Sequence, residues 1–143
     1  MREIKFRAWH KKQKKMVIVL AITFSTNYLH YAYDNTWNLK YGKSYWSDIS
    51  NFEIMQFTGL YDIHGKEIYE GDIVRYKVAT GVDRQEKRFD YKIGFVEFRD
   101  GAFYPRPLED TCGDIWYDFY VWDLEVIGNI YENPELLDLE GAK

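Results

Sequence analysis

Cysteine is nearly absent from this chain. Cys112 stands alone among 143 residues, so no internal disulfide can form, and a secreted domain of this size would ordinarily carry several. A reducing, cytoplasmic compartment is the expectation. Proline is scarce, at three residues, and no proline-rich or Gly/Ser-rich linker or internal repeat divides the chain. Nor is there an apolar run near the roughly 20 residues that cross a bilayer as a helix. The basic N-terminus followed by "MVIVLAITF" imitates a signal peptide, but no small-x-small site follows "TFSTN", and Ile4, Phe6 and Trp9 give the basic stretch a strand-like character. No membrane association is expected.

Linear signatures of catalysis and metal binding are missing too. His10, His30 and His64 are lone residues without Cys or His at ligand spacing, and Cys112 has no C-x-x-C companion, so each reads as a surface or packing residue. No G-x-S-x-G occurs. Gly59, Gly65 and Gly71 fall six apart in "FTGLYDIHGKEIYEGDIVRY", but no Lys-Ser/Thr and no helix follow, so they are turn punctuation and not a phosphate cradle. Glu70 with Asp72, and Asp123 with Glu125, stand two apart and share a strand face. Paired carboxylates can serve acid/base chemistry or hold a hard cation. Acids alternating with apolar residues are, more simply, the solvent side of a strand, with Asp72 bonding backbone amides beside a glycine bend. The expectation is a protein that is not an enzyme, with no catalytic, cofactor-binding or metal-binding residues.

Aromatic residues are abundant: thirteen Tyr, nine Phe and five Trp, within a sequence that is 46% apolar. Such side chains pack well on a pleated surface, and the chain can offset its ordering entropy by burial. An all-β or β-rich fold in one domain, residues 1–143, follows, with a subdivision at 1–56 and 57–143 as the alternative. In "EIKFRAW" Ile4, Phe6 and Ala8 alternate with Glu3, Lys5 and Arg7, and "HKKQKK" separates this run from Met16–Leu20, the pattern of an N-terminal β-hairpin with a lysine-rich tip. Residues 25–50 carry no clear period. Gly65 and Gly71 mark bends before a strand in "DIVRYKV", where Val74, Tyr76 and Val78 share a face. After the charged loop "ATGVDRQEKRFD", Asp100-Gly101 joins two strands, "GDIWYDFY" adds a short one and "VWDLEVIGNI" another. Asn133 as N-cap, Pro134 and Glu135 predict a short C-terminal helical turn.

Charge is unevenly placed. Residues 1–20 hold seven Lys/Arg and one acid, a net of +6, whereas residues 101–143 hold two bases and ten acids, a net of −8. The asymmetry suits an anionic partner at the basic end, or contacts between the two ends within a chain or in a homo-oligomer. Arg7, Trp9, Lys11, Lys12, Lys14 and Lys15 are the candidate nucleic-acid-binding residues. The aromatic-lysine mixture "WNLKYGKSYW" offers stacking faces to unpaired bases. The net charge of −4 and the C-terminal acids oppose such a ligand. Lysines at a tip also guard strand edges without binding anything.

Three blocks in order, "MREIKFRAWHKKQKKM", "FTGLYDIHGKEIYEGDIVRY" and "EVIGNIYENPELL", joined by "GFVEFRDGAF", resemble the YopX family of phage and prophage proteins. The likeness is weak across residues 25–50 and the loops near 80–90 and 105–118. Family members carry an acidic residue where His10 stands, a departure at the hairpin tip without structural consequence. The resemblance implies a phage or prophage setting in a bacterial host, and an SH3-like β-barrel in the C-terminal part, residues 57–143. It implies no activity and no catalytic residues. The favoured reading is a non-catalytic accessory factor that binds a host or phage protein through its aromatic side chains. The alternative is a nucleic-acid-binding accessory protein that uses the basic hairpin.

Overall fold

The computed structural model of the chain describes residues 1–79, 89–108 and 123–138. The strand expected in "GDIWYDFY", Cys112, Trp122 and most of the charged loop "ATGVDRQEKRFD" lie outside the described residues. The chain divides into two compact units, Met1–Phe57 and Thr58–Lys143.

The first unit is an antiparallel sheet. Strand β1 (Phe6–His10) turns back into β2 (Lys15–Thr23), and their pairing runs from Arg7 opposite Ile18 to His10 opposite Lys15. The tip closes because Lys14 adopts a left-handed backbone, φ 53°, and donates its N–H to the His10 carbonyl at 2.8 Å. β2 lies centrally in the sheet, between β1 and β3 (Tyr28–Ala32), with Val17 buried. Its first residues, Lys15 to Ile18, pair with β1, and from Ile18 to Thr23 it pairs with β3, with a register shift between Val19 and Ala21. β4 (Tyr45–Asp48) pairs along β3, and a 3-10 turn, Ile49–Asn51, capped by the Asp48 carboxylate on the Ser50 amide at 2.9 Å, leads into β5 (Phe52–Tyr61). β5 pairs with β1; its residues from Thr58 on, and the three-residue β6 (Glu67–Tyr69) that completes the strand order β4-β3-β2-β1-β5-β6, fall in the second unit. Alternate residues from four strands, Ala8, Val17, Leu29, Tyr31 and Phe52, form the core of the first unit, with Val19, Ile22 and Ile54 against it. Full burial of one such aliphatic side chain contributes about 1.5–3 kcal/mol.

The second unit is built on β7 (Asp72–Ala79), β8 (Phe89–Arg99), β9 (Ala102–Pro107) and β10 (Glu125–Asn129), in the order β10-β7-β8-β9. In β7 Val74 and Tyr76 are buried and Arg75 is exposed, as the period-2 pattern requires. They meet Ile68, Val96 and Leu124, with Phe103 and Val126 packed alongside. Asp100 (φ 52°) and Gly101 (φ 83°) make the two-residue turn between β8 and β9, because both left-handed conformations match the twist of the strands. β9 is an edge strand, and it carries Pro105 and Pro107. A single helix occurs among the described residues, the four-residue α1 (Glu135–Asp138).

The expected SH3-like barrel is not formed. The four-stranded sheet is open, with β10 and β9 as its two edges, and β5 and β6 pair in the other sheet. A barrel needs its edge strands to meet with matched tilt and stagger. Alternation fixes which face of a strand is buried, but it is silent on which edges pair. The fold is therefore β-rich with two open sheets and, among the described residues, almost no helix.

Candidate nucleic-acid interface

Charge follows the division into units. Met1–Phe57 holds nine Lys/Arg and four Asp/Glu, a net of +5, whereas Thr58–Lys143 holds ten and nineteen, a net of −9; together these give the −4 of the whole chain. Most lysines of the first unit sit on the β1-β2 tip and on the segment between β3 and β4.

The six residues that the sequence singles out do not share one environment. Arg7 and Trp9 face one side of β1, Arg7 opposite Ile18 and Met55, Trp9 opposite Met16 and Glu53, and only 9% of Trp9 is exposed. Lys15 is on the opposite side, paired with His10, because side chains alternate along a strand. Lys11 is tied down: its ammonium donates to the Ser50 carbonyl at 3.0 Å and lies 3.3 Å from the Glu53 carboxylate. Lys12 and Lys14 are exposed at the turn and have no ion-pair partner among the described residues.

Lys15 leads to residues that the sequence leaves unassigned. Its ammonium lies 5.6 Å from the centre of the Tyr33 ring, in the range of a cation–π contact. Tyr33 in turn meets Tyr45 at 5.5 Å and Tyr31 at 5.6 Å, Tyr31 meets Phe52 at 5.0 Å, and Phe52 meets His10 at 4.9 Å. One ladder of rings thus joins the hairpin to β3, β4 and β5, buried at Tyr31 and Phe52 and emerging at Tyr33 and Tyr45. Burial, and next the hydrogen bond with the Tyr33 side chain, push the Tyr31 hydroxyl up to about 12. Tyr31 therefore stays neutral at any physiological pH.

Residues 34–44 connect Tyr33 to Tyr45 and start and finish at that pair of rings. The segment is folded tightly. Asp34 accepts the Thr36 amide at 2.8 Å, Leu39 and Gly42 donate to the carbonyls of Thr36 and Leu39 at 2.8 and 2.9 Å, and a Cβ at Gly42 would stand 1.7 Å from the Thr36 carbonyl oxygen. Only glycine lets the backbone approach itself so closely. The loop displays Trp37, Lys40, Tyr41 and Lys43. Tyr41 is 85% exposed, with the Lys40 ammonium 5.5 Å from its ring centre. "WNLKYGKSYW" is the one signal that pointed here; the contact of Tyr33 with Lys15 depends on the β2-β3 register and is not visible in the sequence.

The remaining candidates fall to structural tasks. His10 belongs to the aromatic ladder and accepts the Gln13 amide at 3.3 Å. His30 stacks on the half-exposed Trp46 at 4.4 Å and bonds Ser44 Oγ at 2.9 Å. Asp72, 1% exposed, accepts the Tyr69 amide at 2.8 Å. Glu125 pairs with Arg75 and lies 3.3 Å from His64 Nε2; the hydrogen bond from Arg75, then that from His64, holds its carboxyl below the ordinary value. Asp123 lies 3.5 Å from Lys77. Asp72, Asp123 and Glu125 of the two acid pairs thus each have a backbone or side-chain partner. Among the described residues no group of three or more His, Cys, Asp and Glu could hold a metal ion.

Asp62, in the central glycine-punctuated stretch, is a polar anchor that the sequence does not single out. It is 8% exposed, and its carboxylate accepts the amides of His64 (2.8 Å), Lys66 (2.9 Å) and, across 64 positions, Val126 (3.0 Å). Burial acts to raise its pKa, but the Val126, Lys66 and His64 amides outweigh burial and hold it below the usual value. Gly71 donates to the Val96 carbonyl at 2.8 Å and accepts from Ile130 at 2.9 Å, with φ 78°. The stretch is a staple that fastens β6, β8 and β10. Beside it an apolar cavity of about 230 Å³ is lined by Leu60, Ile68, Val96, Phe103, Pro105 and Leu124, with Thr58 and Tyr104.

No helix among the described residues is long and apolar enough to cross a membrane. The family model described as "YopX protein" matches residues 5–138. Among solved structures, the chain is similar to protein EF1440 from Enterococcus faecalis, at 28% identity over 96% of this chain and 99% of that one, with a TM-score of 0.61. No curated protein matches.

Proposed function

Because the chain belongs to the YopX family, the family of phage and prophage proteins that its sequence blocks resemble, we propose that it is a non-catalytic accessory factor of the host cytoplasm that binds nucleic acid through the lysine-bearing tip of its first unit. The observation that carries this reading is the +5 charge of Met1–Phe57, set against the −9 of the remainder, with Lys12 and Lys14 exposed on the turn and Lys15 exposed at the start of β2. Phosphate contacts need mobile, solvated cations, and their binding releases counterions. Lys11, held by Ser50 and Glu53, shapes the turn; Arg7 and Trp9 support the strand beneath it.

A second reading, the binding of a host or phage protein, draws on β4. This strand is an edge of its sheet and carries the exposed Tyr45 and Trp46, a combination that accepts an added strand and anchors it with aromatic contacts. One experiment separates the two. The tagged protein is recovered from phage-carrying cells with and without nuclease. Co-purifying nucleic acid that nuclease removes supports the first reading. A stoichiometric protein that survives nuclease supports the second, and recovery of the chain alone counts against both.

A further inference from the structure

We propose that the ligand of the first unit is a single strand, DNA or RNA, whose unpaired bases stack on the exposed rings of residues 33–45, the segment that Lys15 reaches at Tyr33. This rests on the nucleic-acid reading above and names the substrate class. A duplex keeps its bases inside the helix and offers a protein surface phosphates and groove edges, so lysines alone suffice to hold it. The segment 33–45, which Lys15 meets at Tyr33, exposes four rings, Tyr33, Trp37, Tyr41 and Tyr45, which do nothing for a duplex backbone. Each is a face for an unpaired base.

The arrangement has the shape of a nucleotide, and it occurs twice. Lys15 stands over Tyr33 at 5.6 Å and Lys40 over Tyr41 at 5.5 Å, so each of these two rings has an ammonium near it that can turn to a phosphate when a base takes the ring. The rings are held in place in advance. Tyr33 and Tyr45 are fixed by each other and by buried Tyr31, and the loop that carries Trp37 and Tyr41 is pinned by Asp34, Thr36 and Gly42. A prepositioned surface loses less entropy on binding. The positive unit beneath it supplies the charge complementarity, and the stacked bases need no sequence readout.

The test measures fluorescence anisotropy at low salt with labelled oligothymidylate and oligouridylate of about 20 nucleotides, and with a mixed-sequence duplex of the same length. Single strands of either sugar are expected to bind at least about 10-fold more tightly than the duplex, with quenching of tryptophan fluorescence. Tyr41→Ala and Trp37→Ala, whose folding is checked by circular dichroism, are expected to weaken single-strand binding about 5-fold or more each while leaving the weak duplex binding unchanged. Lys12→Ala combined with Lys14→Ala weakens both ligands. Equal affinity for duplex and single strand, or ring variants that bind single strands as the wild type does, overturns the inference but leaves the lysine-based reading in place. Binding to none of the three oligonucleotides overturns both, and a nuclease-resistant protein partner then takes their place.

Discussion

Asp62 shows how much a single side chain can do in a β-rich protein with little helix. Its two oxygens accept three amides from two distant stretches, and each such bond to a charged acceptor contributes about 1.5–3 kcal/mol. Asp62→Asn puts an N–H₂ group against backbone donors, and we expect it to lower the stability measured by urea unfolding by about 2 kcal/mol. The pH dependence follows from the direction of its shift. A carboxyl held below its ordinary value stabilises the fold fully above the unfolded value of roughly 3.9, and that contribution is lost as the pH falls through the lower, folded value. The acid limb of the unfolding midpoint is therefore expected to be flatter in Asp62→Asn than in the wild type, although Glu125, lowered in the same direction, leaves part of the slope. An unchanged acid limb would remove Asp62 from this role. In the sequence, "DIHGKE" announces a turn but not the amide of Val126, which lies 64 positions away. Gly42 is a second such case: Gly42→Ala would press a methyl on the Thr36 carbonyl, and a shifted tryptophan emission from Trp37, with the sheet intact by circular dichroism, is the expected result.

At the scale of elements, what is legible is what is local. The β1-β2 hairpin, the Asp100-Gly101 turn and the buried face of β7 each depend on residues within a few positions of one another. Gly101→Val is expected to destabilise the protein by about 1–2 kcal/mol, since its φ of 83° suits glycine, with an unchanged urea m-value; a neutral substitution would show that the turn relaxes freely. Strand β1 begins at Phe6 and leaves Ile4 exposed, so the period-2 pattern overran the strand by one repeat. The barrel failed for a different reason. Val74, Tyr76 and Val96 tell which face is buried, and a barrel and an open sheet share that pattern. Pairing of edges depends on hydrogen bonds between segments far apart in the chain, and β6, only three residues long, is an edge of the β5-bearing sheet.

For the whole molecule, the decisive quantity is the separation of charge, which the first and last stretches of the sequence already showed as +6 and −8 and the two units sharpen to +5 and −9. What the sequence could not show is that Lys15 joins the aromatic segment 33–45, because residues 25–50 lack a period. Nor could it show that Trp9 is buried. Replacing Lys12, Lys14 and Lys15 by alanine is expected to reduce the slope of log affinity against log salt by about 0.7 for each lysine on a single strand. Thermal stability should change little, since these are exposed side chains. A slope that does not move would assign the binding, if any, to another surface.

The prolines of β9 bear on how such a molecule behaves at high concentration. Leu108 donates its amide toward β8, to the Ile93 carbonyl at 3.4 Å, and since amides alternate sides along a strand, the ring nitrogens of Pro105 and Pro107 face away from β8. That rim of the sheet thus lacks donors at two successive outward positions, and a strand from a neighbouring molecule finds no ladder to continue there. An open sheet of aromatic-rich strands is a ready template for fibrils; here growth is stopped on one side by composition alone. Exchange of both prolines for valine is expected to turn a clear solution into one that binds thioflavin T.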